Sequence, residues 1–204
     1  MAWMITHSLL SSWLYSLRDD PFADGTQEDT SKEDFLRVLR REPTPTTEAM
    51  QNGIDFEDMV TALTQDRPTD QNKAGWLEAT QKVADIVRGG QLQYVAKAVT
   101  RVNDMELLLY GRLDALKAGR IYDIKFSKGY ERGKYVDSTQ HPMYLALVPE
   151  ALDFTYLVSN GTEVWTEQYR RDETPDILPT VRAFLDWLRM AGLMKVYMEH
   201  WGAR

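Results

Sequence analysis

The sequence contains no cysteine. This absence excludes a disulfide framework, a cysteine-bound zinc or iron–sulfur site and a thiol nucleophile, and it is typical of a reducing cytoplasm. No apolar run is long enough to cross a bilayer, so no membrane partner is predicted. The three histidines are scattered without the spacing of a zinc site.

Positive charge is also scarce, with 24 basic against 31 acidic residues and a net charge of −7. Proteins that bind nucleic acid usually offer a basic surface. Residues 97–134, however, contain nine basic and five acidic residues, so this stretch carries +4 and the remainder −11. The asymmetry keeps a nucleic-acid partner open, although a charge run is often only a solvated face.

The length of 204 residues and the 43% hydrophobic content indicate a single domain over 1–204. Helical periodicity predicts helices within the first 17 residues and at 32–41, 46–64, 73–88, 136–148 and 175–200, with a loop at 19–31. Strands are predicted at 92–102, 105–116, 120–126, 154–159 and 162–170, the first three antiparallel. This order favours an α+β fold: N-terminal helices and loop in 1–45, a core with a central mixed sheet in 46–170, and C-terminal helices in 171–204.

Two acids and a lysine lie on neighbouring predicted strands: Asp114, then Asp123 and Lys125. Antiparallel pairing can bring the two carboxylates together, and alternation puts Asp123 and Lys125 on one face with Ile124 directed into the core. Paired carboxylates suit Mg²⁺ or Mn²⁺, and a nearby lysine can orient a nucleophile or stabilise charge on phosphorus. The pattern suits phosphodiester hydrolysis, although such acid pairs also occur in purely structural sheets.

This stretch resembles the PD-(D/E)XK nuclease superfamily, with Asp114 and Asp123 as its acids and Lys125 as its lysine. Gln140 and Tyr144 resemble the QxxxY motif of the RecB-like branch, on the helix after the lysine strand. The resemblance covers residues 50–159, about half of the chain. It implies a restriction-endonuclease-like αβββαβ core in which the Ile124 carbonyl joins the metal ligands.

The same resemblance implies a Mg²⁺- or Mn²⁺-dependent DNA nuclease, with Gln140 and Tyr144 contacting DNA or supporting the site. An exonuclease of recombination and repair or of phage DNA metabolism is favoured. It would work in the cytoplasm of a bacterium or phage-infected cell, beside a possible recombination partner protein.

One position departs from the family pattern. Many RecB-like members carry a metal-binding histidine on the helix before the strands, where this sequence has Phe56. Phe56 is predicted to lie in the core. Glu57 is the nearest carboxylate and the candidate ligand, with Asp55 and Asp58 as competitors, and the number of metal ions stays open.

A basic, glycine-containing segment follows the lysine strand. Its Lys128 and Arg132, with Lys134, could bind a phosphate backbone, and Tyr130 and Tyr135 could stack on bases. A merely solvated loop is an equal alternative. His141, beside Gln140, could line the site but is more typical of a core or surface residue.

Two other functions compete with the nuclease. One is a nuclease fold that binds nucleic acid or protein without cutting, which the acidic charge and the missing histidine favour. The other is a structural or assembly protein with a Trp- and Met-rich C-terminal surface for a partner or for a second copy in a homo-oligomer, comprising Trp187, Met190, Met194, Met198 and Trp201.

Overall fold

The computed structural model describes residues 2–18 and 30–203, so the part of the predicted loop at 19–29 lies outside the described residues. The described chain forms an α+β fold with a mixed six-stranded sheet and flanking helices, as predicted. The strands are β1 Trp3–Ile5, β2 Gln91–Val102, β3 Met105–Lys117, β4 Arg120–Phe126, β5 Asp153–Ser159 and β6 Val164–Arg170. The α-helices are α1 His7–Ser16, α2 Ser31–Leu39, α3 Glu48–Thr64, α4 Leu77–Val87, α5 Gln140–Leu147, α6 Leu178–Met190 and α7 Met194–His200.

The sheet is mixed because two of its pairings are parallel. Strands β2, β3 and β4 form the predicted antiparallel series, whereas β4 pairs with β5 in parallel and β1 pairs with β3 in parallel. A parallel pair needs a crossover connection, and here α5 lies in the crossover from β4 to β5. The crossover brings α5 back across the sheet beside the strand that carries Asp123 and Lys125.

Several predicted boundaries were wrong. Residues 3–5 form strand β1 and not the start of a helix, because they pair with Leu107–Leu109 of β3, a contact with no local sequence signal. The helix predicted at 136–148 begins only at Gln140, whose N–H is accepted by the Ser138 hydroxyl at 3.2 Å. The closing helical region is two helices, separated at Gly192, which has a φ of 70°.

A 3-10 turn, Gln71–Trp76, precedes α4, so the helix predicted at 73–88 starts later than expected. The start of α3 agrees with the prediction, since Thr47 caps it by accepting a hydrogen bond from the Met50 N–H. None of the helices in 2–18 and 30–203 is both long and apolar enough to span a bilayer.

Two hydrophobic clusters cover the sheet. The larger cluster packs α1, α2, α5 and α6 against residues that include Leu113 and Ile121. The smaller cluster packs α3 and α4 against Tyr122 and Ile124 of β4. Since adjacent β4 residues fall in different clusters, the clusters lie on opposite faces of this strand. Phe56 is fully buried in the smaller one, as the sequence predicted.

Candidate active site

Asp114 lies where β3 and β4 separate. The ladder between these strands includes Ala115 paired with Tyr122 but does not continue to Asp114 and Asp123. Beyond this pair, a side chain and not the β3 backbone accepts the next β4 hydrogen bond: the Ile124 N–H donates to Asp114 Oδ2 at 2.7 Å. The side chain thus bridges the two strands at the position where their backbones stop pairing, which fixes it beside Asp123.

Asp123 is almost completely buried and has two partners. Its Oδ1 accepts a hydrogen bond from Gln140 Nε2 of α5, and its Oδ2 lies 2.6 Å from Lys125 Nζ. Oδ2 has no well-directed hydrogen bond and is held by the charge of the lysine. Ile124, between the two, points into the smaller cluster, so the predicted alternation along β4 is confirmed.

Glu57 of α3 is the third acid of the site. It is half-buried and accepts a hydrogen bond from Gln93 of β2, and its charge acts on Asp114. Its competitors are engaged elsewhere or open to solvent. Asp55 pairs with Lys73 at 3.4 Å, and Asp58 is exposed. The structure therefore favours Glu57 among the three candidate acids of α3.

The three carboxylates form a site with an excess of negative charge. Burial raises the pKa of Asp114 well above its usual range, and the charges of Asp123 and Glu57 raise it further. Burial also raises the pKa of Asp123, against the opposing effect of Lys125, and it raises the pKa of Glu57. For Lys125, burial would lower the pKa, but Asp123 outweighs burial and the pKa rises. The ammonium therefore stays charged and neutralises only part of the acidic field.

The donor set fits a hard divalent cation. Asp114, Asp123, Glu57 and the Ile124 carbonyl would supply oxygen ligands, and Asp123 Oδ2 is a buried oxygen without a directed hydrogen bond. Within residues 2–18 and 30–203, no three acidic or histidine side chains already converge as a complete ligand shell. Binding would therefore require Glu57 to turn from Gln93 and Asp123 to share its oxygen between Lys125 and the ion.

The two α5 residues of the predicted motif both lie at the site. Gln140 orients Asp123, and the Tyr144 hydroxyl donates a 3.0 Å hydrogen bond to the Arg112 carbonyl. A Cβ on Gly111 would lie 2.6 Å from Tyr144 Cε1, so only glycine lets β3 approach this ring. Both residues support the acids, and their contact with substrate stays a prediction.

His7 of α1 is a neighbour of the site that the sequence did not indicate. Its ring lies edge-on to Tyr144, with the ring centroids 5.3 Å apart. Burial lowers the pKa of His7 to about 4, with a further contribution from the charge of Lys125. It is therefore neutral at physiological pH.

The basic segment of the sequence lies between β4 and α5. Lys128 and Arg132 are exposed there, so they remain available to a polyanion. Tyr130 and Tyr135 already have aromatic neighbours, and their stacking on bases stays a prediction. Their rings stack on Trp165 and Tyr156, with centroids 5.5 Å and 4.2 Å apart, because these aromatic residues of β6 and β5 border the segment.

Glu167 of β6 anchors this basic segment and was missed by the sequence analysis. Its buried carboxylate accepts hydrogen bonds from the Tyr130 hydroxyl at 2.7 Å, the Gly133 N–H at 3.1 Å, the Tyr135 N–H at 3.2 Å and the Tyr169 hydroxyl. Burial alone would raise the pKa of Glu167, but these four donors hold it below the usual range. A charged residue on a strand is usually expected to face solvent. Only the alternation of β6, which directs Glu167 to the buried face, could have indicated this role.

Gln93 was missed as well. Its φ of 52° lies in the left-handed region, which is unusual for a strand residue other than glycine, and its amide is directed at Glu57. Unfavourable backbone conformations of this kind concentrate at functional sites. His141, the other candidate of α5, is buried and stacks on Tyr169 with centroids 3.9 Å apart, so it belongs to the core.

No protein-family model and no curated protein matches this chain. Among solved structures, the crystal structure of SSO0001 is similar, with a TM-score of 0.50 and 14% sequence identity, over 93% of this chain and 77% of that one. At this identity the similarity supports the shared fold alone.

Proposed function

We propose that this protein is a Mg²⁺- or Mn²⁺-dependent deoxyribonuclease of the RecB-like type that hydrolyses phosphodiester bonds in the cytoplasm. The observation that carries the proposal is the junction of β3 and β4. There the Asp114 carboxylate bridges to the Ile124 N–H, and Asp123 pairs with Lys125 at 2.6 Å. Three acids with raised pKa and one charged lysine grouped around this junction suit metal-dependent phosphodiester hydrolysis.

Each residue has a role in this proposal. Asp114, Asp123, Glu57 and the Ile124 carbonyl would hold the metal ion. A bound ion would lower the pKa of a coordinated water and neutralise charge that develops on the phosphate. Lys125 donates hydrogen bonds that orient the attacking water and stabilise the phosphoryl oxygens. Gln140 keeps Asp123 in one orientation, as their hydrogen bond indicates.

The exposed basic residues Lys128 and Arg132 would hold the phosphate backbone beside the site. Glu167 keeps their segment against β6, so this surface is ordered before a substrate arrives. An exonuclease of recombination, repair or phage DNA metabolism is favoured on the resemblance alone. A net charge of −7 suggests that a partner protein contributes to DNA affinity.

The proposal is tested by incubating end-labelled linear DNA and closed circular DNA with Mg²⁺ or Mn²⁺, and separately with EDTA. We expect degradation of linear DNA that EDTA abolishes and that Lys125→Ala lowers by on the order of 10²- to 10³-fold. Lys82→Ala, which removes an exposed lysine of α4, is the matched control and should leave the rate unchanged. Cutting of circles as well would make the enzyme an endonuclease with the same site.

A binding module without catalysis is the second candidate, since the described residues contain no preformed three-residue ligand shell. Calorimetry with Mn²⁺ separates the two functions. Saturable binding of Mn²⁺ that is abolished by Asp123→Asn supports the nuclease. Absence of both binding and cleavage, or cleavage that survives Lys125→Ala, contradicts it.

A further inference from the structure

One face of the β2–β3 hairpin is open to solvent along its length. Val95, Lys97, Val99 and Arg101 alternate along β2 and are all exposed, with Val99 68% and Val95 45% accessible. The residues between them face the other way, where Ala96 and Val102 are buried. On β3, Tyr110 lies opposite Lys97 and Arg112 lies opposite Val95. We call the exposed or partly exposed residues of this face the outer ribbon face: Val95, Lys97, Val99, Arg101, Tyr110 and Arg112.

The two faces of the hairpin thus have opposite characters. Leu107 and Leu109 of β3 lie on the inner face and are buried in the larger cluster. On the outer ribbon face, Val95 and Val99 are exposed to solvent and Tyr110 is partly exposed. Apolar side chains grouped on one exposed face often mark a binding site.

The charge of this face is opposite to that of the chain. Lys97, Arg101 and Arg112 contribute three positive charges, and Glu106 opposite Arg101 contributes one negative charge. The chain as a whole carries −7. Lys97 Nζ also lies 5.8 Å from the centroid of the Tyr110 ring, so a cation and an aromatic ring are neighbours on this face. A polyanion with apolar groups complements this surface.

The face ends at the candidate active site. Arg112 is two residues before Asp114 on β3, and its charge acts on Glu57. Gln93, which holds Glu57, is two residues before Val95 on β2. A ligand on the outer ribbon face would therefore lead directly to the three acids.

We propose that the outer ribbon face is a track that binds an unpaired nucleic-acid strand and guides its end into the site. This inference deepens the proposed function and rests on it. The phosphates would pair with Lys97, Arg101 and Arg112, while bases and sugars contact Val95, Val99 and Tyr110. Residues 95–101 span roughly 20 Å at the usual rise of a strand, comparable with small sheet platforms that hold about four nucleotides.

The apolar side chains favour a single strand over a duplex or a second copy of the protein. A duplex offers mainly phosphates and would leave the valines and Tyr110 without contacts, whereas an unpaired strand exposes its bases. Two copies docked through this face would bring together two sets of three cations, which repel each other. The bases of an unpaired strand would cover the exposed apolar side chains, and its phosphates would neutralise the positive charge.

The test measures binding of a fluorescein-labelled 20-nucleotide oligothymidine to the full chain in EDTA, where cleavage does not interfere. The double variant Lys97→Ala, Arg101→Ala should bind at least tenfold more weakly at moderate salt. The slope of log affinity against log salt should also fall by about 1.4, since each phosphate contact on a single strand contributes about 0.7. Val99→Ser should weaken binding without changing this slope.

The matched control is the double variant Lys82→Ala, Lys195→Ala, which removes the same charge from exposed positions on α4 and α7. If the ribbon double variant binds like this control, or if the wild type does not bind the oligonucleotide, the track is refuted. A wild-type dimer that Val99→Lys dissociates in sedimentation velocity would also overturn it in favour of a second copy.

The two proposals fail in distinguishable ways. Ribbon-dependent binding without any metal-dependent cleavage would leave the outer ribbon face standing as a strand-binding surface and refute the nuclease. Metal-dependent cleavage that Lys125→Ala abolishes, together with unchanged binding by the ribbon variant, would leave the nuclease standing and refute the track.

Discussion

Asp123 and Glu167 are both buried carboxylates, 2% and 7% exposed, yet their surroundings shift their pKa values in opposite directions. Burial raises the pKa of Asp123, and Asp114 and Glu57 nearby are raised as well. Glu167 accepts four hydrogen bonds, which outweigh burial and lower its pKa. Asp123 is the more deeply enclosed of the two carboxylates and has fewer donors, so both burial and the supply of donors separate their pKa values.

A carboxylate with enough donors is a structural anchor, whereas a group of carboxylates with too few donors needs a cation. At the β3–β4 junction, three acids share Lys125, the Ile124 N–H and the amides of Gln140 and Gln93. We therefore expect the junction to destabilise the metal-free protein, as grouped charges at functional sites often do. The Glu167 centre should instead stabilise the fold.

The largest effect should come from Asp114→Asn, which removes one negative charge and keeps an oxygen acceptor for the Ile124 N–H. We expect nuclease activity to fall by on the order of 10²- to 10³-fold. The free energy of unfolding without metal should rise by about 1 kcal/mol, because repulsion and burial of charge are relieved. Denaturant unfolding in EDTA measures the second effect, with Asp58→Asn, an exposed neighbour on α3, as the control. A loss of stability would mean that the three acids are not in excess over their donors.

A smaller effect of opposite sign is expected for Glu167→Gln. The amide offers its own N–H groups to a place already occupied by donors, so unfolding should become easier by about 1–3 kcal/mol. Because the segment with Lys128 and Arg132 loses its anchor, KM should rise more than kcat falls. Glu163→Gln, an exposed position before β6, serves as the control. Unchanged stability would refute the anchoring role.

The smallest but most discriminating effect is in how the free energy of unfolding depends on pH. It is measured in EDTA for Asp114→Asn and Glu167→Gln relative to wild type. Asp114 has a folded pKa above its unfolded value, so its ionisation lowers the stability of the fold. This cost is complete above the folded pKa, shrinks as pH falls through that pKa and is absent below the unfolded pKa. The advantage of Asp114→Asn should therefore begin to shrink above the ordinary aspartate range and be lost once pH is below that range. Glu167 has a folded pKa below its unfolded value, so its stabilisation persists above that value and is lost as pH falls further. The deficit of Glu167→Gln should disappear only below the ordinary glutamate range, and coincident windows would contradict the contrast.

Much of the fold and the centre of the site could be predicted because they are local. The two-residue alternation of β4 placed Asp123 and Lys125 on one face and Ile124 in the core. The four-residue spacing of Gln140 and Tyr144 placed both on one side of α5. Short turns joined β2, β3 and β4 in sequence, so their antiparallel order followed from chain geometry.

The elements that could not be predicted depend on partners far away in sequence. Strand β1 exists because Trp3–Ile5 pair with Leu107–Leu109, about a hundred residues later. Glu167 meets the Tyr130 hydroxyl and the Gly133 N–H only because β6 packs beside the segment that follows β4. The stacking of Tyr130 on Trp165 and of Tyr135 on Tyr156 also depends on β6 and β5, which come later in the sequence.

The separation between the two kinds of information has a physical basis. Side-chain periodicity and turn chemistry act over a few residues, so they are readable along the chain and settled which groups share a face. The number of hydrogen-bond donors around a buried carboxylate depends on how whole elements pack together. Packing therefore decided that Glu167 has four donors, that Asp114, Asp123 and Glu57 each have fewer, and that one face of the β2–β3 hairpin remains exposed.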